Sequence, residues 1–189
     1  QEDIPIILCG FSKGSLVLNA FVAEYATLLR FKRLSALQEP APEYILDWQL
    51  DNCGSPAFKY PPYEPTLKLL LSKTPLSVLT DNSDVLLEFG SRIQQIHWLD
   101  AHRFPTNPAV VEELGRRLKT QQLKICLHGT PRQLNDPMRV YIRQEHDTFV
   151  EKLKNEAPQA EGNGFLINKM YFENERRSLA QHFRVLDVF

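Results

Sequence analysis

The residues best placed to do chemistry are Gly10-Phe11-Ser12-Lys13-Gly14, a G-x-S-x-G pentapeptide. Before it runs Ile4-Pro5-Ile6-Ile7-Leu8-Cys9, a short apolar, β-branched run that predicts a buried strand. After it, Ser15 through Tyr25 predicts a helix. Strand, G-x-S-x-G, helix is the setting of a nucleophile elbow, in which the serine sits on a sharp, strained turn. Its neighbours two residues away on either side must then be small, so that strand and helix can pack closely. The N–H that follows the serine, from Lys13, would point to where an oxyanion forms.

A serine nucleophile needs a base to take its proton, and the base needs an acid to fix its tautomer and hold its charge. On the α/β-hydrolase pattern these follow in the order Ser, Asp or Glu, His. His182, near the C-terminus after the last predicted strand, is the expected base; a surface histidine in a polar tail is the competing reading. Asp136 lies in the loop after the penultimate strand and is the first candidate acid. Asn135-Asp136-Pro137 also reads as the start of a helix, with Asp136 as a mere cap. Asp100, at the end of the preceding strand, is the alternative acid, against an ordinary strand-end aspartate that satisfies turn N–H groups. His97 reads as a packed or edge histidine, His102 as a loop histidine beside Asp100, His128 as a strand-end residue, and His146 as solvated on an amphipathic helix. No His, Cys, Asp or Glu group has metal-ligand spacing, and there is no Walker or Rossmann glycine loop, so neither a metal nor a cofactor is expected.

The elements that must carry these residues follow from periodicity and punctuation. Helices are expected at about 15–33, 83–92 (with Ser83 as a cap), 107–120 and 140–157, with Asn107-Pro108 opening the third. Strands are expected at 93–99, 123–128 and 164–172. Between Glu39 and Pro65 stand six of the 13 prolines, which forbids a long helix or a central strand there. A short helix is expected in Leu67-Lys68-Leu69-Leu70-Leu71. Alternating strands and helices predict an α/β fold, a mostly parallel sheet with helices on both faces, as in the C-terminal part of an α/β-hydrolase. Chemistry in such sheets collects at the carboxyl ends of the strands, where Ser12, Asp100, the Asp136 loop and His182 are expected to fall.

The 189 residues suffice for one domain. A net charge of −1, with 43% hydrophobic and 24% charged residues, gives no electrostatic case for nucleic acid or an anionic membrane. No apolar stretch is long enough to span a bilayer. Three scattered cysteines make no disulfide framework. The chain begins at Gln1 with its first strand running straight into the elbow, so a C-terminal fragment of a longer chain is expected. A single, incomplete domain is expected, itself inactive and with its first strand exposed as an edge.

GFSKG at 10–14 followed by LVLN at 16–19, WLD at 98–100, DPMR at 136–139, EH at 145–146 and HFRVLDVF at 182–189 resemble an animal mitochondrial protein family. It is the family named after chromosome 2 open reading frame 69, whose members are similar to serine hydrolases of the α/β-hydrolase type. The resemblance covers about residues 4–30 and 84–189. It implies mitochondrial residence and Ser12 as nucleophile. The stretch at about 31–80 departs from the family pattern as an insertion. Residues and resemblance together lead to a hydrolase with a small-molecule or lipid ester substrate, working through an acyl-enzyme. A non-catalytic binding or regulatory protein in mitochondrial metabolism, with an unidentified protein partner, is the alternative.

Overall fold

The computed structural model describes residues 4–36 and 83–189. The proline-rich stretch, the short helix expected at 67–71 and most of the expected insertion lie outside the described residues. Strand β1 (Ile6–Phe11) leads into helix α1 (Gly14–Ala36), and helix α2 (Ser83–Ser91) precedes β2 (Ile93–Leu99). Helix α3 (Pro108–Lys119), strand β3 (Lys124–Gly129), the single turn α4 (Pro131–Leu134) and helix α5 (Val140–Glu156) follow. Strand β4 (Leu166–Met170) and helix α6 (Leu179–Arg184) complete the order.

The α/β class is as expected: the four strands form one parallel sheet in the order β1-β2-β3-β4. Strand order equals chain order, and crossovers between parallel strands are right-handed, so α1, α3 and α5 fall on one face. There α3 packs against both α1 and α5. The core between these helices and the sheet contains Val22, Trp98, Leu114, Leu127, Phe149 and Leu166, all at most 4% exposed. Each such side chain contributes about 1.5–3 kcal/mol by leaving water. Trp98 buries its one polar atom by donating from Nε1 to Asn19 Oδ1 of α1 (2.7 Å), and its ring meets Phe149 edge-on. Helix α3 begins where the sequence says it should. Asn107 Oδ1 accepts from the Ala109 and Val110 N–H groups, and Pro108 takes the first turn.

The opposite face carries Cys9, His97 and Cys126 in register across β1, β2 and β3, with His128 two residues further along β3. Among the described residues it meets α6 and the C-terminal segment. Phe11 stacks on His182 at 4.7 Å, and Phe189 sets its edge against His97 at 4.7 Å.

The competing reading of His182 as a surface histidine in a polar tail is corrected by α6. Ser178 Oγ accepts from Gln181 N–H, and Gln181 Oε1 accepts from Ser178 N–H, which is a full capping box. This helix buries Gln181 and His182 although Glu173 through Ala180 are exposed.

Candidate active site

The elbow is built as its glycines require, with one correction. Ser12 stands at φ 53°, in the left-handed region that a residue with a side chain seldom adopts. The turn is pinned by backbone bonds: Ser12 N–H donates to Leu99 O (2.9 Å), while Ser12 O accepts from the N–H of Ser15 and of His102. Ser15 Oγ adds a third bond to the same carbonyl at 2.7 Å. A Cβ at Gly10 would stand 2.7 Å from Leu18 Cδ2 and 3.1 Å from Ser15 Cα, so only glycine lets β1 approach α1. At Gly14 a Cβ would meet nothing within 4 Å. Close packing therefore explains the first glycine and not the second. The Lys13 N–H has no intramolecular acceptor among the described residues.

His182 reaches the end of β2. Its Nδ1 lies 2.6 Å from Asp100 Oδ2, with the aspartate side chain fully buried and the histidine side chain 10% exposed. Asp100 is held from a second direction by Thr130, whose N–H donates to Oδ1 (2.8 Å) and whose hydroxyl lies 2.8 Å from Oδ2. With both oxygens engaged, the carboxylate cannot rotate away from the imidazole. Asp100 also sits at positive φ, 45°, a conformation that aspartate tolerates better than most residues.

The expected pairing of Asp136 with His182 is replaced by this one. Asp136 Oδ1 accepts from Met138 N–H, and Oδ2 bonds Arg132 (3.0 Å) and Arg139 (2.8 Å). These partners lie within four residues, so Asp136 organises its own turn. The Met138 N–H and the two guanidinium groups hold its carboxyl below the usual aspartate range.

Phe11, the residue before the serine, stacks its ring on the His182 imidazole at 4.7 Å. Ser12 Oγ and His182 Nε2 make no hydrogen bond to each other or to another described residue. Catalytic hydrogen bonds are commonly long before substrate binds. His102 joins the site from the loop after Asp100. Its N–H bridges Ser12 O and Ser15 Oγ, and its ring Nε2 lies 3.4 Å from Arg139. Burial first, then the charges of Arg139, Lys13 and His182, lower its pKa from 6.5 to about 4.

A second group of polar side chains was not visible in linear spacing. His97, Cys126 and His128 put their ligand atoms within 4.8 Å of one another on the sheet face opposite the long helices. His97 Nδ1 and His128 Nε2 lie 3.1 Å apart; Gln95 Oε1 holds the outer nitrogen of His97, and the Tyr171 hydroxyl that of His128. Burial pushes the Cys126 thiol up to about 11 and His128 down to about 4. The remaining histidine departs from expectation: His146 is 5% exposed rather than solvated, bonded to Asp147 and Asn168 and packed on Phe104.

Against known proteins, a family model matches residues 76–157 of the chain. That model describes the C2orf69 family. The matched span includes Asp100 and Asp136, and Ser12 and His182 lie outside it. The C2orf69 match agrees with the resemblance carried by WLD at 98–100, DPMR at 136–139 and EH at 145–146, which lie inside the matched span. Among curated proteins the chain is similar to the mitochondrial protein C2orf69 homolog of Mus musculus, 32% identical over 107 residues, which are 53% of this chain and 27% of that protein. The zebrafish (Danio rerio) homolog is 30% identical over 104 residues, 53% of this chain and 28% of its own. Human mitochondrial protein C2orf69 is 31% identical over 107 residues, 53% of this chain and 25% of its own. The match thus spans about a quarter of the length of these relatives. No solved structure matches the chain significantly. No described helix is long and apolar enough to cross a membrane.

Proposed function

We propose that the chain carries the nucleophile, base and acid of a mitochondrial serine hydrolase, with Ser12, His182 and Asp100 in those roles. The observation that carries the reading is the buried 2.6 Å contact between Asp100 Oδ2 and His182 Nδ1, on a helix that stacks against the residue preceding Ser12. Asp100 fixes the imidazole with its proton on Nδ1, which leaves Nε2 as the lone-pair acceptor that a general base requires. Ser12 Oγ attacks an ester, thioester or amide carbonyl while Nε2 takes its proton. The same proton then passes to the leaving group as the acyl-enzyme forms, and a water repeats the sequence in reverse. The Lys13 N–H supplies one donor to the tetrahedral oxyanion. The strained φ of Ser12 and the close approach at Gly10 support the elbow. The mitochondrial names of the relatives support the location.

The test is covalent labelling of the full-length protein with a fluorophosphonate probe. Labelling that disappears in Ser12→Ala and falls steeply in His182→Gln is expected. A folded, unlabelled wild-type protein would refute the reading and favour a non-catalytic binding role.

A further inference from the structure

We propose that His97, Cys126 and His128 form a binding site for a single borderline-soft transition-metal ion, Zn2+ in the first instance. The site lies on the sheet face opposite α1, α3 and α5, and none of its three ligands is among the residues assigned to the Ser12 centre.

Three observations carry it. First, the sheet places the ligands. His97 and Cys126 are register partners on neighbouring parallel strands, and His128 is two residues from Cys126, so all three side chains leave the same face. Their ligand atoms lie within 4.8 Å of one another.

Second, the geometry is near that of a tetrahedral centre. Two nitrogens each about 2.0–2.1 Å from Zn2+ stand about 3.3 Å apart, and a sulfur at 2.3 Å stands about 3.5 Å from either. His97 Nδ1 and His128 Nε2 are already 3.1 Å apart. A small opening of that pair and a modest movement of the thiol complete the set, with the fourth position left to water.

Third, the outer nitrogen of each ring is already engaged. Gln95 Oε1 lies 3.0 Å from His97 Nε2, and the Tyr171 hydroxyl lies 3.0 Å from His128 Nδ1. Metal-ligating histidines characteristically use their second nitrogen in this way, which fixes the ring and aims the other at the ion. The Phe189 ring lies edge-on to both imidazoles. One thiolate and two imidazoles select zinc or copper over magnesium or calcium, which prefer oxygen. On binding, the thiol gives its proton to solvent and the hydrogen bond between the imidazoles is exchanged for two metal–nitrogen bonds.

Metal-free full-length protein is titrated with Co2+ and then with Zn2+. Expected are saturation at one ion per chain, a near-ultraviolet thiolate-to-cobalt band with visible bands of tetrahedral intensity, and their loss as Zn2+ displaces Co2+. Zinc at a hundredfold excess over its Kd should raise the melting temperature by roughly 3–5 °C in a chain of about 400 residues. Cys126→Ser should abolish the thiolate band, and His128→Asn should weaken binding at least tenfold. His102→Asn, which lies outside the group, should change neither. If Cys126→Ser fails to fold, the wild-type spectrum and His128→Asn decide. No saturable binding, a spectrum without a thiolate band, or binding unchanged by His128→Asn would overturn the proposal. None of these readouts depends on hydrolysis.

Discussion

Replacing Asp100 by Asn in the full-length protein should separate the two candidate acids. The Asp100 side chain is fully buried and both its oxygens are engaged, Oδ1 by Thr130 N–H at 2.8 Å and Oδ2 by His182 Nδ1 at 2.6 Å. Asparagine keeps the shape, and its one oxygen can still accept from the Thr130 N–H. Its amide then presents N–H to His182 Nδ1. The imidazole answers by moving its proton to Nε2, where it can no longer accept from Ser12. The equivalent substitution in a serine protease costs about 10⁴ in kcat. A tenfold loss corresponds to about 1.4 kcal/mol, so the expected loss is about 5.5 kcal/mol of transition-state stabilisation. The fold should lose much less, on the order of 1–3 kcal/mol, because the buried hydrogen bonds are mostly retained. Asp136→Asn is the control. It weakens bonds to Arg132 and Arg139 within one turn, and should cost at most about 1 kcal/mol and change activity little. The assay is the second-order rate of fluorophosphonate labelling, with urea unfolding of each variant alongside. Labelling that survives Asp100→Asn but is lost in a folded Asp136→Asn would refute the assignment of the acid.

The two glycines of the elbow should respond oppositely. Gly10→Ala forces a Cβ against Leu18 and the backbone at Ser15, and should lower stability by about 1–3 kcal/mol in urea unfolding. Gly14→Ala meets open space at the first residue of α1, and should be neutral or stabilising by up to about 1 kcal/mol in the same measurement. The third expectation concerns acid. His102 has its pKa lowered from 6.5 to about 4, by burial and by Arg139, Lys13 and His182, with only Asp100 acting in the other sense. The unfolded chain therefore binds this proton first as pH falls. Its contribution to stability is whole above about 6.5 and declines between 6.5 and 4. His102→Gln should flatten the fall in melting temperature over that window, and an unchanged slope would sink the idea.

Local signals carried far along the chain. The 93–99 strand, the Asn107-Pro108 helix start and the strand–turn–helix around Ser12 were legible because each is written in adjacent residues: β-branched runs, a capping side chain before proline, small residues at a turn. What could not be read was register. That His97 faces Cys126 depends on how β2 slides against β3, and no single strand records it. The burial of His146 is hidden for the same reason, since it comes from Phe104 and Asn168, far away in the chain. The acid is a subtler case. Arg132 and Arg139 stand four before and three after Asp136, a spacing that announces a self-contained turn. Asp100 carries no comparable local mark, because its partners are 30 and 82 residues away. Helix α6 is too short for periodicity to show, yet Ser178 with Gln181 three residues on is a capping box in plain text.

The pairing of Asp100 with His182 across 82 residues also sets an order of events. The parallel sheet and its three long helices can close without α6, whereas the site is complete only after that helix docks at the carboxyl edge. Loop-closure entropy grows slowly with length, so the delay is modest, but the dependence is absolute. The segment from Glu173 through Ser178 that tethers α6 is exposed throughout, making it the natural point of entry for a protease. One cut there would release the imidazole from its carboxylate and leave the core packed. Loss of the site and loss of the fold should therefore come apart in limited digestion, with the site going first.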